Sequence, residues 1–461
     1  MAGVQQVPVH VEVALQPSCA LEFSEIEQEV RRLIHGGGST TIRDGPIDVS
    51  TSRVLSENVL TAKVTGLTDS GVDKVPFWHC DPCVHAFQLS PCGVEREVLD
   101  GDGDGEDVAA FDQWVLPAQE LEGLWESLLL EDTIKAQLLD YATSALLFSD
   151  RQVSKHIISW NRVVLLHGPP GTGKTSLCKA LAHKLAIRLG GRFQAAQLLE
   201  INAHSLFSKW FSESGKLVGR LFGHIAELAE DESTLVCILV DEVESLTTAR
   251  SAAMSGNEPS DAVRVVNAVL TQIDSLRARD NVLVLTTSNV SKAIDLAFVD
   301  RADIKMLIGL PGVQARYSIL QSCLAELMRT GIIDPPQHVP DCASELVRTA
   351  LHTSCDMGVL APARIGEGFI QLSYFGVLLF KTVGMSSATG CRVMSMGILL
   401  LQVAALAQGL SGRALRKLPF QAHAFFVHRS STTLHHYLDA LLQAVRTELQ
   451  RRAQLETGSP V

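Results

Sequence analysis

The sequence predicts an α/β protein built on a doubly wound parallel sheet, and three stretches carry that prediction. Val163 to Ser176 reads VVLLHGPPGTGKTS, an apolar strand that turns through a glycine loop and opens a helix. Leu235 to Val240, LVCILV, is apolar throughout and ends in Asp241 and Glu242, while Val282 to Thr287, VLVLTT, ends at Ser288 and Asn289. Runs of this length without polar alternation fit strands buried on both faces. Helical patterns between them give the strand–helix alternation of a doubly wound sheet, whose strand ends line one ligand crevice.

The first stretch explains itself residue by residue. Gly168, Pro169, Pro170, Gly171, Thr172, Gly173, Lys174, Thr175 and Ser176 match G-x-x-x-x-G-K-[ST] and its flank, with the required strand before and helix after. The glycines admit backbone conformations closed to other residues, so successive N–H groups can point inward at phosphate oxygens. Lys174 then reaches the β and γ phosphates of ATP, Thr175 offers its hydroxyl to Mg²⁺, and the helix N-terminus adds positive potential.

Composition bounds the rest. With 461 residues and a hydrophobic share of 46%, two or three folded domains are expected. A net charge of −12 disfavours a general nucleic-acid-coating surface, because such binding rests on Lys and Arg neutralising phosphates. Ten cysteines without a paired framework, and no signal peptide at the start, predict free thiols in a reducing, ATP-rich compartment.

Before the glycine loop the chain predicts a small α+β domain over residues 1–111. Val7 to Leu15, VPVHVEVAL, reads as a strand, and Glu22 to Ile34 has apolar residues at helical spacing. Cys80 and Cys83, flanked by His79 and His85, lack a second ligand pair at zinc spacing, and alternation from Val84 to Leu89 reads as a strand without metal. Glu95 to Asp107, EREVLDGDGDGED, imitates a calcium loop but has Phe111 where the bidentate Glu belongs, so it reads as an exposed acidic loop that closes the domain. Trp114 to Phe148 then reads as helical, leading into a large α/β domain over residues 112–310.

At the ends of the buried strands the chemistry continues. Asp241 would hold the Mg²⁺ shell, Glu242 would orient or deprotonate the attacking water, and Asn289 would hydrogen-bond that water or the γ-phosphate. Trp210 and Phe211 are two large aromatics oddly placed in a polar stretch, and packing on a helix is one reading of them.

These motifs resemble the AAA+ ATPases, through GPPGTGKT, the apolar strand ending in Asp-Glu, the strand ending in Asn289, and Asp300-Arg301. SKWFSESGKLV from Ser208, LVDEVESL, EPSDAVRVVNAVLTQID, TTSNV, AFVDRADIK and GLSGRALRKLPF from Gly409 are similar to the pachytene checkpoint protein 2 (thyroid receptor-interacting protein 13) family within them. The resemblance is close from about Trp114 to Met328 and again from about Gly397. It implies an AAA+ fold with a C-terminal helical lid over residues 311–461 and a homohexameric ring with active sites shared between neighbours. By the same resemblance Arg301 is a trans-acting arginine finger, against an ordinary salt bridge with Asp300 or Asp303, and Arg413 is the lid arginine that senses nucleotide. Trp210 and Phe211 become the central pore loop, and Gly256 to Ser260 a second one.

The implied clients are HORMA-domain proteins of the spindle checkpoint and of meiotic chromosome axes, locally unfolded at one end, with a HORMA-type adaptor docking on the N-terminal domain. The implied residence is nucleus and cytoplasm, with chromosome and kinetochore association. No direct nucleic-acid partner and no membrane are expected. Cys355 to about Met396 departs from the family pattern: it is rich in Gly and apolar residues, reads as an insertion, and is broken by Lys381 and Arg392 into pieces too short to span a bilayer. His436 to Leu449 has helical spacing suited to the lid. Two other functions remain open from sequence: a nucleotide-gated scaffold that scarcely hydrolyses, and a DNA-acting clamp loader, which the acidic charge disfavours.

Overall fold

The structure is a computed structural model that describes residues 6–36, 41–68, 71–72, 74–99, 108–130, 132–154, 156–203, 214–245, 261–289, 296–342 and 396–457. It divides into two compact units, Met1–Pro169 with Gly173–Ile308, and Gly309–Val461 with Pro170–Thr172.

The first unit holds two principal sheets. The large one comprises β7 (Glu95–Leu99), β8 (Val108–Leu116), β9 (Val163–His167), β10 (Ala195–Asn202), β11 (Thr234–Asp241), β12 (Val282–Ser288) and β13 (Ile304–Leu307), in the order β13-β9-β12-β11-β10-β8-β7. From β13 to β10 every pairing is parallel. Its central strands are buried on both faces because successive side chains point to opposite sides. Val163, Leu165, Val236, Ile238, Val240, Val282 and Val284 enter one core, with helices Ser214–Leu228 and Asp261–Leu276. Val164, Leu166, Leu235, Cys237, Leu239, Leu283 and Leu285 enter the other, with helices Asp132–Asp150 and Lys174–Arg188. The expected doubly wound α/β core is therefore present.

Its far edge corrects the sequence reading. Glu95 to Leu99 is a strand rather than a loop, and Trp114 lies on strand β8 rather than a helix; β8 pairs antiparallel with both β10 and β7. The pair therefore extends the large sheet, and the break between sheets falls before Glu95 rather than at Phe111. Edge strands commonly carry charge, which blocks further pairing, so Glu95 and Arg96 are charges of an edge; the rest of the acidic stretch, 100–107, lies outside the described residues. Arg96 Nε donates to Asp112 Oδ1 across the hairpin at 3.2 Å.

The smaller sheet, in the order β3-β4-β1-β6, comprises β3 (Gly45–Pro46), β4 (Val59–Thr65), β1 (Val7–Leu15) and β6 (Cys80–Gln88), and β2 (Thr41–Ile42) pairs with β5 (Val75–Pro76) in a two-stranded ribbon. β1 is its centre, antiparallel to β4 and parallel to β6. Val9, Val11, Val13 and Leu15 face a core shared with Ile26, Val30 and Leu55. The opposite face carries His10, Glu12 and Ala14, and Ala14 clusters with Phe87 and with Ile187 of the helix that follows the glycine loop. Glu12 and Lys184 are paired at 2.7 Å with side chains 1% and 2% exposed. Thr65 Oγ1 and Arg188 also reach Glu12. Burial alone would raise this carboxyl, but the adjacent Lys184 and Arg188 cations hold it below its ordinary range.

Glu12→Ala is therefore expected to destabilise the chain by about 3 kcal/mol, because it removes the buried carboxylate between two cations and leaves Lys184 only its 3.4 Å ion pair with Glu126. Equilibrium denaturation measures this, and a loss no larger than that of an exposed Glu→Ala control would contradict it.

The second unit is helical, with Val313–Arg329, Met396–Leu406, Gly412–Ala422 and Leu434–Thr457. Arg316 Nε donates to the Ala404 carbonyl at 2.6 Å, and Tyr437 Oη to the Pro419 carbonyl at 2.7 Å, each tying two helices together. The insertion at 355–396 lies outside the described residues apart from Met396. Among the described residues eight cysteines are free thiols, and no helix is long and apolar enough to cross a membrane.

Candidate functional site: the glycine loop and the strand tips

The loop leaves β9 at Gly168, whose backbone has φ +146°. A Cβ there would lie 2.2 Å from the Ile308 carbonyl oxygen, so only glycine fits between β9 and the end of β13. The loop ends at Gly173, left-handed at φ +95°, and the helix begins with Lys174. That places the helix N-terminus against the loop.

Lys174 is 5% exposed, and its Nζ donates to the carbonyls of Gly168 at 3.0 Å and Pro169 at 2.9 Å and to Asn289 Oδ1 at 2.9 Å. The ammonium sits inside the loop and at the tip of β12 together. Thr175 Oγ1 donates to Asp241 Oδ1 at 2.9 Å, joining the helix start to the end of β11. Asn289 extends the network: its Nδ2 donates to Glu242 Oε1 at 3.4 Å and its backbone N–H to Glu244 Oε1 at 3.2 Å.

Lys174, Thr175, Asp241, Glu242 and Asn289 thus form one hydrogen-bonded cluster at the adjacent ends of β9, β11 and β12. The parallel register brings them together, pairing Ser288 with His167 and Val240 with Thr286. A hydroxyl and a carboxylate, both hard oxygen donors, fit Mg²⁺, which takes one or two protein oxygens and keeps its other ligands for phosphate and water. The loop N–H groups and Lys174 fit the phosphates themselves.

Thr287 and Glu244 also stand in this cluster, and sequence reasoning did not single them out. Thr287 reads as one more residue of a buried strand; its place near the strand end, two residues before Asn289, was the available signal.

The remaining sequence-predicted residues are dispersed. In the helical unit the Arg413 backbone N–H donates to the Gly171 carbonyl at 3.0 Å, while the Arg413 side chain is exposed. Ser411 caps the same helix through the Ala414 N–H, and a Cβ on Gly171 would lie 2.8 Å from its Oγ, so the loop glycine is sterically required there as well. Pro170 and Thr172 accompany Gly171 in that unit, and Ser176 lies in the first turn of the helix that Lys174 opens.

Arg301 ends a short helix, Leu296–Arg301, and grips Asp274 with two bonds, Nε to Oδ1 at 2.9 Å and Nη2 to Oδ2 at 2.7 Å. Asp274, on the helix Asp261–Leu276, is thus an ion-pair partner of Arg301. Hydrogen bonding from Arg301 holds the Asp274 carboxyl below its ordinary range. Asp303 accepts from Tyr141 Oη at 2.7 Å and from the Arg162 N–H at 2.9 Å. Trp210, Phe211 and the segment from Gly256 to Ser260 lie outside the described residues.

Comparison with known proteins extends beyond the loop. Residues 164–310 match the family model for the ATPase family associated with various cellular activities (AAA). Residues 4–92 match that for the TRIP13 N-terminal domain, and 312–358 and 341–449 that for the TRIP13-like AAA+ ATPase lid C-terminal domain. The pachytene checkpoint protein 2 homolog of Oryza sativa subsp. indica is 45% identical over 448 residues, covering 96% of this chain and 88% of its own length. The chain belongs to the TRIP13-like AAA ATPases. The Homo sapiens homolog is 44% identical over 455 residues, covering 97% of this chain and 94% of that one. The solved structure of C. elegans PCH-2, 33% identical with a TM-score of 0.69, covers 97% of this chain and 100% of that one. Membership of the TRIP13-like family makes the chain an ATPase that binds nucleotide, with an AAA domain between an N-terminal domain and a helical C-terminal region.

Proposed function

We propose that this TRIP13-like ATPase remodels HORMA-domain proteins, working as a hexameric ring that grips a terminal segment of its client and pulls repeatedly. A domain held by about 5–15 kcal/mol, with weaker ends, yields to such pulling. Thr175 and Asp241 hold Mg²⁺, Lys174 binds the phosphates, Glu242 activates water and Asn289 orients it. Arg301, held in one orientation by Asp274, reaches the γ-phosphate of an adjoining protomer, and Arg413 reports nucleotide state to the lid. Trp210 and Phe211 grip the client in the pore, while the N-terminal domain receives it with a HORMA-type adaptor.

The observation that supports this reading best is the convergence of Lys174, Asp241, Glu242 and Asn289 in a chain matched at both ends by TRIP13 models. The pachytene checkpoint homologs among its relatives support a role in meiotic chromosome control, and the family resemblance supports checkpoint inactivation and nuclear and cytoplasmic residence.

Capture from dividing or meiotic cells with Glu242→Gln in ATP tests the client. HORMA-domain proteins should be retained and should release when ATP is replaced by ADP; recovery of none would remove the substrate assignment and leave the ATPase. Mass photometry of the same sample should show six copies of the 49.9 kDa chain.

A further inference from the structure

Asp241 and Glu242 are adjacent in sequence but must point in different directions, one toward a metal ion and the other toward water. The backbone achieves this through Glu242 itself, a non-glycine residue in the left-handed region at φ +60°. That conformation is costly for a side-chain-bearing residue and persists only where its surroundings hold it.

One residue supplies three bonds around it. The Thr287 hydroxyl donates to Asp241 Oδ1 and accepts the Glu242 backbone N–H at 3.3 Å. The Thr287 carbonyl accepts the Val243 backbone N–H at 3.0 Å. With 2% exposure, Thr287 is buried, and its hydroxyl has both a donor and an acceptor partner. Asp241 Oδ1 thus receives two hydroxyls, Thr175 from the helix that opens at Lys174 and Thr287 from β12.

We propose that Thr287 is a positioning residue for ATP hydrolysis, aiming the Asp241 carboxylate at the metal and holding the Glu242 backbone in the turn that presents its carboxylate to water. The proposal rests on the Mg²⁺ role given above to Thr175 and Asp241. A hydroxyl is required because one atom must both donate to a carboxylate and accept from an amide. Valine has nearly the same shape and can do neither. The carbonyl bond to Val243 survives any side-chain change, so the effect is a graded loss.

The test uses the full chain, with ATP turnover and fluorescent ADP affinity measured in Mg²⁺ and in EDTA. Thr287→Val is expected to lower kcat about 10- to 100-fold, the consequence of losing one hydrogen bond to a charged group together with the amide partner. It should also reduce the gain in nucleotide affinity that Mg²⁺ gives, while affinity in EDTA stays as in the wild type. Thr287→Ser keeps the hydroxyl and should restore both quantities to within a few-fold.

Equal kcat and equal Mg²⁺ gain in Thr287→Val and wild type would overturn the assignment. So would a Thr287→Ser chain as impaired as Thr287→Val, since packing of the methyl group would then be the cause. If Thr287→Val fails to fold, Thr287→Ser decides alone by the same two readouts. A wild-type affinity indifferent to Mg²⁺ would instead sink the metal reading beneath the proposal, an outcome recognisable before any variant is compared.

Discussion

Glu242→Gln is expected to lower steady-state ATP turnover by about 10²–10⁴-fold, the range that a positioned general base contributes. Nucleotide affinity should stay within a few-fold of wild type. Glutamine preserves size and keeps an oxygen that can accept the Asn289 Nδ2–H bond, which spans 3.4 Å to Glu242 Oε1. It cannot take a proton from water. The loss should therefore fall on kcat, with binding spared, the pattern of an interaction made in the transition state. Single-turnover kinetics with labelled ATP separate the steps, and turnover unchanged by the substitution would remove Glu242 from the chemistry. Wild-type turnover that is itself negligible would favour a nucleotide-gated scaffold.

Lys174→Ala is expected to weaken ATP binding by at least about 10²-fold, and turnover at ordinary ATP concentrations should vanish with it. A charge-assisted bond from an ammonium to phosphate is worth about 1.5–3 kcal/mol, and the upper part of that range is about 10²-fold in affinity. Its Nζ already satisfies three oxygens, those of Gly168, Pro169 and Asn289, on two separate segments. The substitution thus also removes the tie between the loop and the tip of β12. Lys174→Arg should rescue poorly, because a planar guanidinium does not match three oxygens converging on a single nitrogen. Calorimetric titration with ATP decides both variants; full binding by Lys174→Ala would remove the loop from phosphate recognition.

Much of this site was legible in the sequence because its residues are local to strands that announce themselves. The runs before Gly168, Asp241 and Asn289 each contain at least four consecutive apolar residues, VVLL, LVCILV and VLVL, the pattern of strands buried on both faces. Lys174 and Thr175 follow a loop whose glycines are required at φ +146° and +95°. The edge hairpin was misread for the opposite reason. Glu95–Leu99 carries charge at the edge of the sheet, and patterning within five residues cannot separate an edge strand from a loop until its pairing with β8 is known.

By itself the sequence determined the α/β core, the phosphate loop, the candidate acid residues and the family resemblance. All of these are encoded in contiguous stretches, where composition and spacing suffice. Tertiary structure alone decided who meets whom: Glu12 with Lys184, Arg301 with Asp274, and Thr287 with both Asp241 and the Glu242 backbone. Those pairings join segments tens of residues or more apart, through burial and strand register. Hydrogen bonds and buried charges act only over a few ångströms, so such partnerships exist only once the chain has folded.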